Sequence, residues 1–292
     1  MNNVVKPRFT ELQQLVGERQ LGSFRMVAFD MDGTLLGSDH QLTKRTIASV
    51  KMVAEAGLIV LLATGRMTSA VKNHLERLGT PELVVSHNGA LVKGARTGRI
   101  YYHETIPKTV ISNLLKLLDE KDIIVHFNFD DTIYLVKANP YSEQYSQDLE
   151  VPLTYVSSFR YLKGEPTTVL IMDRRDVLVS LLAALSKQFP SSFSYVMVPW
   201  LEDVWRLQLR PPNISKGNAV VQVAKQLGVR PEEIISFGDN YNDIEMLAST
   251  GLSIAMENAV TKVKQLADFV TLSNQHDGVA YVLEAILSRG KA

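Results

Sequence analysis

Four short motifs carry residue types that could do chemistry. The first is Asp30-Met31-Asp32-Gly33-Thr34. Its apolar lead-in, Met26 to Phe29, predicts a strand, which puts both carboxylates at a carboxyl end, where open α/β sheets place ligands. Two carboxylates at this spacing can divide the work of nucleophile and general acid/base. Their mutual repulsion is relieved by a hard cation that takes oxygen ligands. An Asp-Gly pair is also a plain turn signal, with Asp32 as its cap. The second motif, Thr64-Gly65-Arg66, follows the apolar run Leu58 to Ala63. A hydroxyl and a free amide at a helix start suit an anion, although Thr64 serves equally as a helix cap.

The third motif is Ser215-Lys216-Gly217-Asn218. With Ser215 as N-cap, Lys216 falls in the first turn, where a cation opposes the helix dipole. A bound phosphate reverses that conflict; a lysine reaching into solvent is the plainer reading. The fourth is Gly238-Asp239-Asn240-Tyr241-Asn242-Asp243, after the apolar run Ile234 to Phe237. Asp239 and Asp243 repel if they face one way, unless a cation or a donor intervenes. A helix start with Asn240 as cap and Asp243 in its first turn explains those two residues. It leaves Gly238-Asp239 unexplained.

The elements that must position these motifs alternate. Strands at 26–30, 58–63 and 83–86 are separated by helices at 43–56 and 68–78. After Pro211-Pro212 the alternation resumes: helix 216–227, strand 234–237, helix 241–248, strand 252–255, helix 260–266, strand 269–272 and helix 278–287. Apolar strands alternating with helices predict a parallel, doubly wound, Rossmann-like α/β sheet. Between these halves the pattern differs. Strands at 99–105, 123–129, 132–137, 167–172, 193–198 and 204–209 mix with helices at 107–120 and 176–188, and Asp130-Asp131 marks a hairpin. The expected organisation is an α/β core over 25–89 and 212–292, an inserted α+β cap domain over 90–211, and an N-terminal appendage over 1–24. Thr10 with Gln13 opens a short helix in that appendage.

Composition narrows the function classes. The chain has 292 residues, with 31 basic and 31 acidic side chains and 46% apolar residues. The balanced charge gives no electrostatic case for a nucleic-acid partner. No apolar run approaches a membrane span. The absence of cysteine removes disulfides, thiolate nucleophiles and cysteine metal sites. The six histidines form no metal-spaced pair. Arg206 and Gln208 share a face if 204–209 is a strand; a solvated face is the plain reading of that pair.

All four motifs fall at the strand-to-helix edge of the expected sheet. Together they supply a nucleophile, an acid/base, amide and hydroxyl donors, a cation and metal ligands. That inventory fits phosphoryl transfer, in which positioning and charge stabilisation do most of the work.

The ordered set resembles the haloacid dehalogenase-like superfamily, in particular the Cof-type sugar-phosphate phosphatases with a large inserted cap. Asn88-Gly89-Ala90 before the insertion matches as well, and the likeness covers about residues 25–290. The resemblance implies that Asp30 attacks phosphorus and becomes an aspartyl-phosphate. It implies that Asp32 protonates the leaving oxygen and then activates water. Mg²⁺ is implied on the Asp30 carboxylate, the Asp32 main-chain carbonyl and Asp239, with Asp243 as an outer or alternate ligand. The Met31 main chain, Thr64, Gly65, Lys216 and Asn242 are implied to hold the phosphate. A cytoplasmic phosphatase for a small phosphorylated metabolite follows, monomeric or homodimeric, with no nucleic-acid or membrane partner. Transfer to a sugar, as in a phosphosugar mutase, uses the same residues, and a non-catalytic metabolite-binding regulator is a third reading.

Overall fold

The structure is a computed structural model, and it describes residues 24–79, 83–119, 122–201 and 203–288. The expected helix near Thr10 lies outside the described residues. The described chain forms two compact units. One comprises the residues up to Arg66, Val71–Tyr102 and Ser215 onward; the other comprises Met67–Ala70 and His103–Ile214.

The first unit is built on strands β1 (Met26–Asp30), β2 (Ile59–Ala63), β3 (Leu83–Ser86), β4 (Leu91–Gly94), β5 (Ile100–His103), β12 (Ile234–Gly238), β13 (Leu252–Ala255) and β14 (Phe269–Val270). Their order across the sheet is β14-β13-β12-β1-β2-β3-β4-β5. The six strands from β14 to β3 run parallel. All five residues of β1 and all five of β12 are buried, as a parallel sheet covered on both faces requires. The chain leaves β1 toward β2 on one side and later lays β12 on the other. The crevice at this reversal is where such sheets bind ligands.

Helices cover both faces. Val27 and Phe29 point toward α1 (Lys44–Glu55), α2 (Lys72–Leu78) and α9 (Gly278–Ser288). Met26 and Ala28 point toward α6 (Lys216–Gln226). Thr43 caps α1 as expected, accepting from the Thr46 amide. Two shorter helices, α7 (Ile244–Ala248) and α8 (Thr261–Leu266), complete this unit. The sheet also extends past the junction expected at residue 90. Leu91 and Val92 are buried, and β4 pairs antiparallel with β3, so the inserted unit begins at His103 apart from Met67–Ala70.

The second unit has strands β6 (Ile124–Phe129), β7 (Thr132–Leu135), β8 (Leu153–Tyr155), β9 (Thr168–Arg174), β10 (Ser194–Leu201) and β11 (Val204–Arg210), in the order β10-β11-β9-β6-β7-β8. Every pair is antiparallel except β7 with β8. Helices α3 (Lys108–Leu118) and α5 (Arg175–Gln188) share one apolar cluster with Val125, Phe127, Val169 and Ile171. Helix α4 (Pro140–Leu149) has no counterpart in the expected elements; Asn139 caps it and Pro140 opens it. No helix among the described residues is long and apolar enough to cross a membrane.

Candidate active site

Four strand ends of the first unit converge on one cavity of about 220 Å³. Its walls are Asp30, Asp32, Gly65, Arg66, Asn88, Lys216, Asp239, Asn240 and Asn242. The expected site residues Asp30, Asp32, Gly65, Lys216, Asp239 and Asn242 are thus brought together. Met31, Thr64 and Asp243 are buried and do not line the cavity.

Asp30 ends β1 with only 4% of its surface exposed. Its Oδ1 accepts a hydrogen bond from Lys216 Nζ, while Oδ2 is buried with no hydrogen-bond partner. Lys216 opens α6 behind its Ser215 cap, whose side chain accepts from the Asn218 amide. The lysine does not reach into solvent: it is 1% exposed and also donates to Asp243 Oδ1 at 2.8 Å. The plain reading of this residue fails because two carboxylates from distant segments receive its ammonium group inside the unit.

Asp243 is wholly buried and organises its own loop. Its Oδ2 accepts from the main-chain amides of Asp239 at 3.1 Å and Asn240 at 3.0 Å. The helix-start reading of this motif is realised too, since Asn240 and Asp243 form a capping box. Gly238 is small for a local reason: a Cβ there would lie 2.6 Å from the Asp243 Cβ.

The electrostatics are lopsided. One buried ammonium faces three carboxylates, Asp30, Asp239 and Asp243, whose oxygens lie within 4.8 Å of one another. Burial pushes the Asp30 carboxyl well above the usual range, with Lys216 pulling it back and Asp243 adding to the rise. Asp239 is pushed up to about 6, first by burial and then by Asp243. Burial drives the Lys216 ammonium down, but Asp30 and Asp243 overcome it and hold it above its ordinary value. With all three carboxylates ionised, two negative charges stay uncompensated. A divalent cation balances them, and carboxylate oxygens are the donors that a hard cation prefers. The lone buried oxygen of Asp30 is the sort of orphan such an ion satisfies.

Asp32 is placed differently. Its side chain is 44% exposed and stands outside the three-carboxylate cluster. Arg66 grips it with a two-pronged fork, Nε to Oδ2 at 2.9 Å and Nη2 to Oδ1 at 2.5 Å. Thr64 fixes the start of this loop, its hydroxyl accepting from the Arg66 amide at 3.1 Å. In the sequence Arg66 stands out only as part of its motif; the signal for its role is a guanidinium that matches carboxylate geometry.

The family model for haloacid dehalogenase-like hydrolases matches residues 27–283. Phosphatase YwpJ of Bacillus subtilis is 30% identical over 290 residues, covering 90% of this chain and 100% of its own. The 5-amino-6-(5-phospho-D-ribitylamino)uracil phosphatase YitU of the same organism is 27% identical over 280 residues, covering 90% and 97%. A Thermotoga maritima crystal structure superposes with a TM-score of 0.81 at 29% identity, covering 89% of this chain and 97% of that one.

Proposed function

The chain belongs to the haloacid dehalogenase-like hydrolase family and is a phosphatase of that family; from that premise we propose a Mg²⁺-dependent enzyme that hydrolyses a small phosphorylated metabolite through a phosphoryl group carried on Asp30. The observation that carries this reading is the free, buried Oδ2 of Asp30 on the wall of a cavity that also holds Lys216 and Asp239.

The chemistry divides between the two aspartates. Asp30 attacks phosphorus as its bond to the leaving oxygen breaks, and Asp32 gives that oxygen a proton. Asp32 then takes a proton from water, which attacks the same phosphorus and breaks its bond to Asp30. Lys216, the Gly65 amide and Asn242 hold the phosphate oxygens, with the Met31 main chain and Thr64 supporting them. The Arg66 fork keeps Asp32 at the cavity wall while it is ionised. Asp30 and Asp239, with the Asp32 main-chain carbonyl and Asp243 beside them, are the residues that would hold Mg²⁺. Bound there, the ion would neutralise charge gathering on the transferring phosphoryl group.

The YitU name describes a substrate whose phosphate sits on a sugar-like chain, which supports a phosphorylated polyol or sugar for this chain. The test is phosphate release from a panel of phosphorylated sugars, polyols and nucleotides, with and without Mg²⁺. Release that needs the ion and favours sugar or polyol phosphates is expected. Release indifferent to Mg²⁺ would contradict the proposal, and an isomeric sugar phosphate without free phosphate would point to transfer.

A further inference from the structure

The turn His87-Asn88-Gly89 joins three of the motifs. Its main chain ties to the second motif, the His87 amide donating to the Arg66 carbonyl and the Asn88 amide to the Thr64 carbonyl, both at 3.0 Å. Gly89 lies against the third motif: a Cβ there would stand 2.2 Å from the Ser215 carbonyl oxygen and 3.1 Å from the Lys216 nitrogen. The Asn88 side chain reaches the fourth, its Oδ1 accepting from Asn242 Nδ2 at 2.9 Å.

The backbone conformation needed for this is unusual. His87, Asn88 and Gly89 have φ values of 51°, 56° and 106° in succession. Two adjacent non-glycine residues in the left-handed region carry a conformational cost. Asparagine is among the residues that tolerate that region best. The strain sets the Asn88 amide on the cavity wall beside Gly65, where an added Cβ would come within 3.0 Å of Asn88 Nδ2. A glycine at 65 is therefore what lets the amide sit there.

With Oδ1 committed to Asn242, the donor end of the amide is the Nδ2 group. We propose that Asn88 is a further phosphate-holding residue, whose Nδ2 donates to an oxygen of the transferring phosphate. Its Oδ1 meanwhile fixes the orientation of Asn242. This inference rests on the phosphatase reading above and adds a donor to the phosphate set. A hydrogen bond to an anion is among the stronger ones, so its loss should weaken phosphate binding roughly ten- to a hundredfold.

The experiment is calorimetric titration of orthophosphate, in Mg²⁺, into the natural chain, Asn88→Gly, Asn242→Ala and the double variant. Glycine keeps the left-handed backbone at no cost and removes only the side chain. The expected result is weaker binding by Asn88→Gly with an unchanged melting temperature, and a further weakening when it is added to Asn242→Ala. Unchanged binding in Asn88→Gly overturns the proposal. So does a loss that vanishes in the Asn242→Ala background, because Asn88 would then act only through its neighbour. If Asn88→Gly does not fold, Asn88→Asp keeps the acceptor for Asn242 and removes the same donor; retained binding there is equally fatal. A natural chain that neither binds orthophosphate nor releases it removes the phosphatase reading and this inference with it. Phosphate release with variants that bind normally removes only the inference.

Discussion

The two units bury polar groups in opposite ways. The first encloses charge: Lys216 between Asp30 and Asp243, each nearly or wholly without solvent contact. The second encloses neutral polarity: His126 Nε2 hydrogen-bonds Ser142 Oγ at 2.6 Å, and Asn128 Nδ2 donates to Thr168 Oγ1 at 2.9 Å. Charge inside a protein is expensive and is kept where partners offset it; the neutral pairs carry no charge to offset, although His126 Nδ1 and Asn128 Oδ1 are buried without a hydrogen-bond partner. The difference suits the first cluster to chemistry and the second to packing. It also follows the sheets. Strands β1 and β12 are buried along their whole length, so only their carboxyl ends are free for function. The last two strands of the second sheet, β10 and β11, are only partly covered.

The largest effect is expected at Lys216. Lys216→Met leaves two carboxylates buried without their cation, which should cost about 3–5 kcal/mol. Urea denaturation of the first unit would show it, and phosphate release should vanish. A small change would mean that the cluster is not held by charge.

The next largest effect belongs to the second unit and to pH. Burial lowers His126 from 6.5 to about 4. The unfolded chain therefore binds a proton between those values that the folded unit refuses. Stability is complete above pH 6.5 and declines as pH falls, by about 3 kcal/mol at pH 4. Denaturation at pH 7 and pH 4.5 tests this, and His126→Gln should flatten the difference.

Arg66 sharpens the contrast within the first unit. Its partner Asp32 is well exposed, so Arg66→Ala should change stability by less than about 1 kcal/mol. Phosphate release should fall about tenfold or more, since acid–base catalysis depends on placement. The smallest effect is expected at Arg160, which pairs with Asp119 at 2.7 Å on the surface. Arg160→Ala should alter the urea midpoint almost undetectably, by about 0–1 kcal/mol.

Legibility follows the same division. The parallel strands announce themselves as apolar runs, and the first, second and fourth motifs stand at the ends of three of them, so Asp30, Asp239 and the Thr64 loop could be placed from the chain alone. What stayed hidden depended on distant partners. The solvent-facing reading of Lys216 fails only because Asp30 and Asp243 close around it. The Arg66 fork joins residues 34 apart in sequence, and the Asn88 bridge to Asn242 spans 154. Strand β4 was obscured by Lys93 and Gly94 after only two apolar residues. Helix α4, Pro-Tyr-Ser-Glu-Gln-Tyr-Ser-Gln-Asp-Leu, is too polar to show a helical stripe, although Asn139-Pro140 was a start signal in plain view.

In the proposed reaction Asp30 carries the phosphoryl group. The most direct measurement is acid quenching during turnover in Mg²⁺, with peptide mapping of the natural chain and of Asp30→Asn, alongside phosphate release by both. A phosphoryl adduct is expected on the peptide containing Asp30, with neither adduct nor release in a folded Asp30→Asn variant. Full release by Asp30→Asn, or an adduct on another residue, would contradict it.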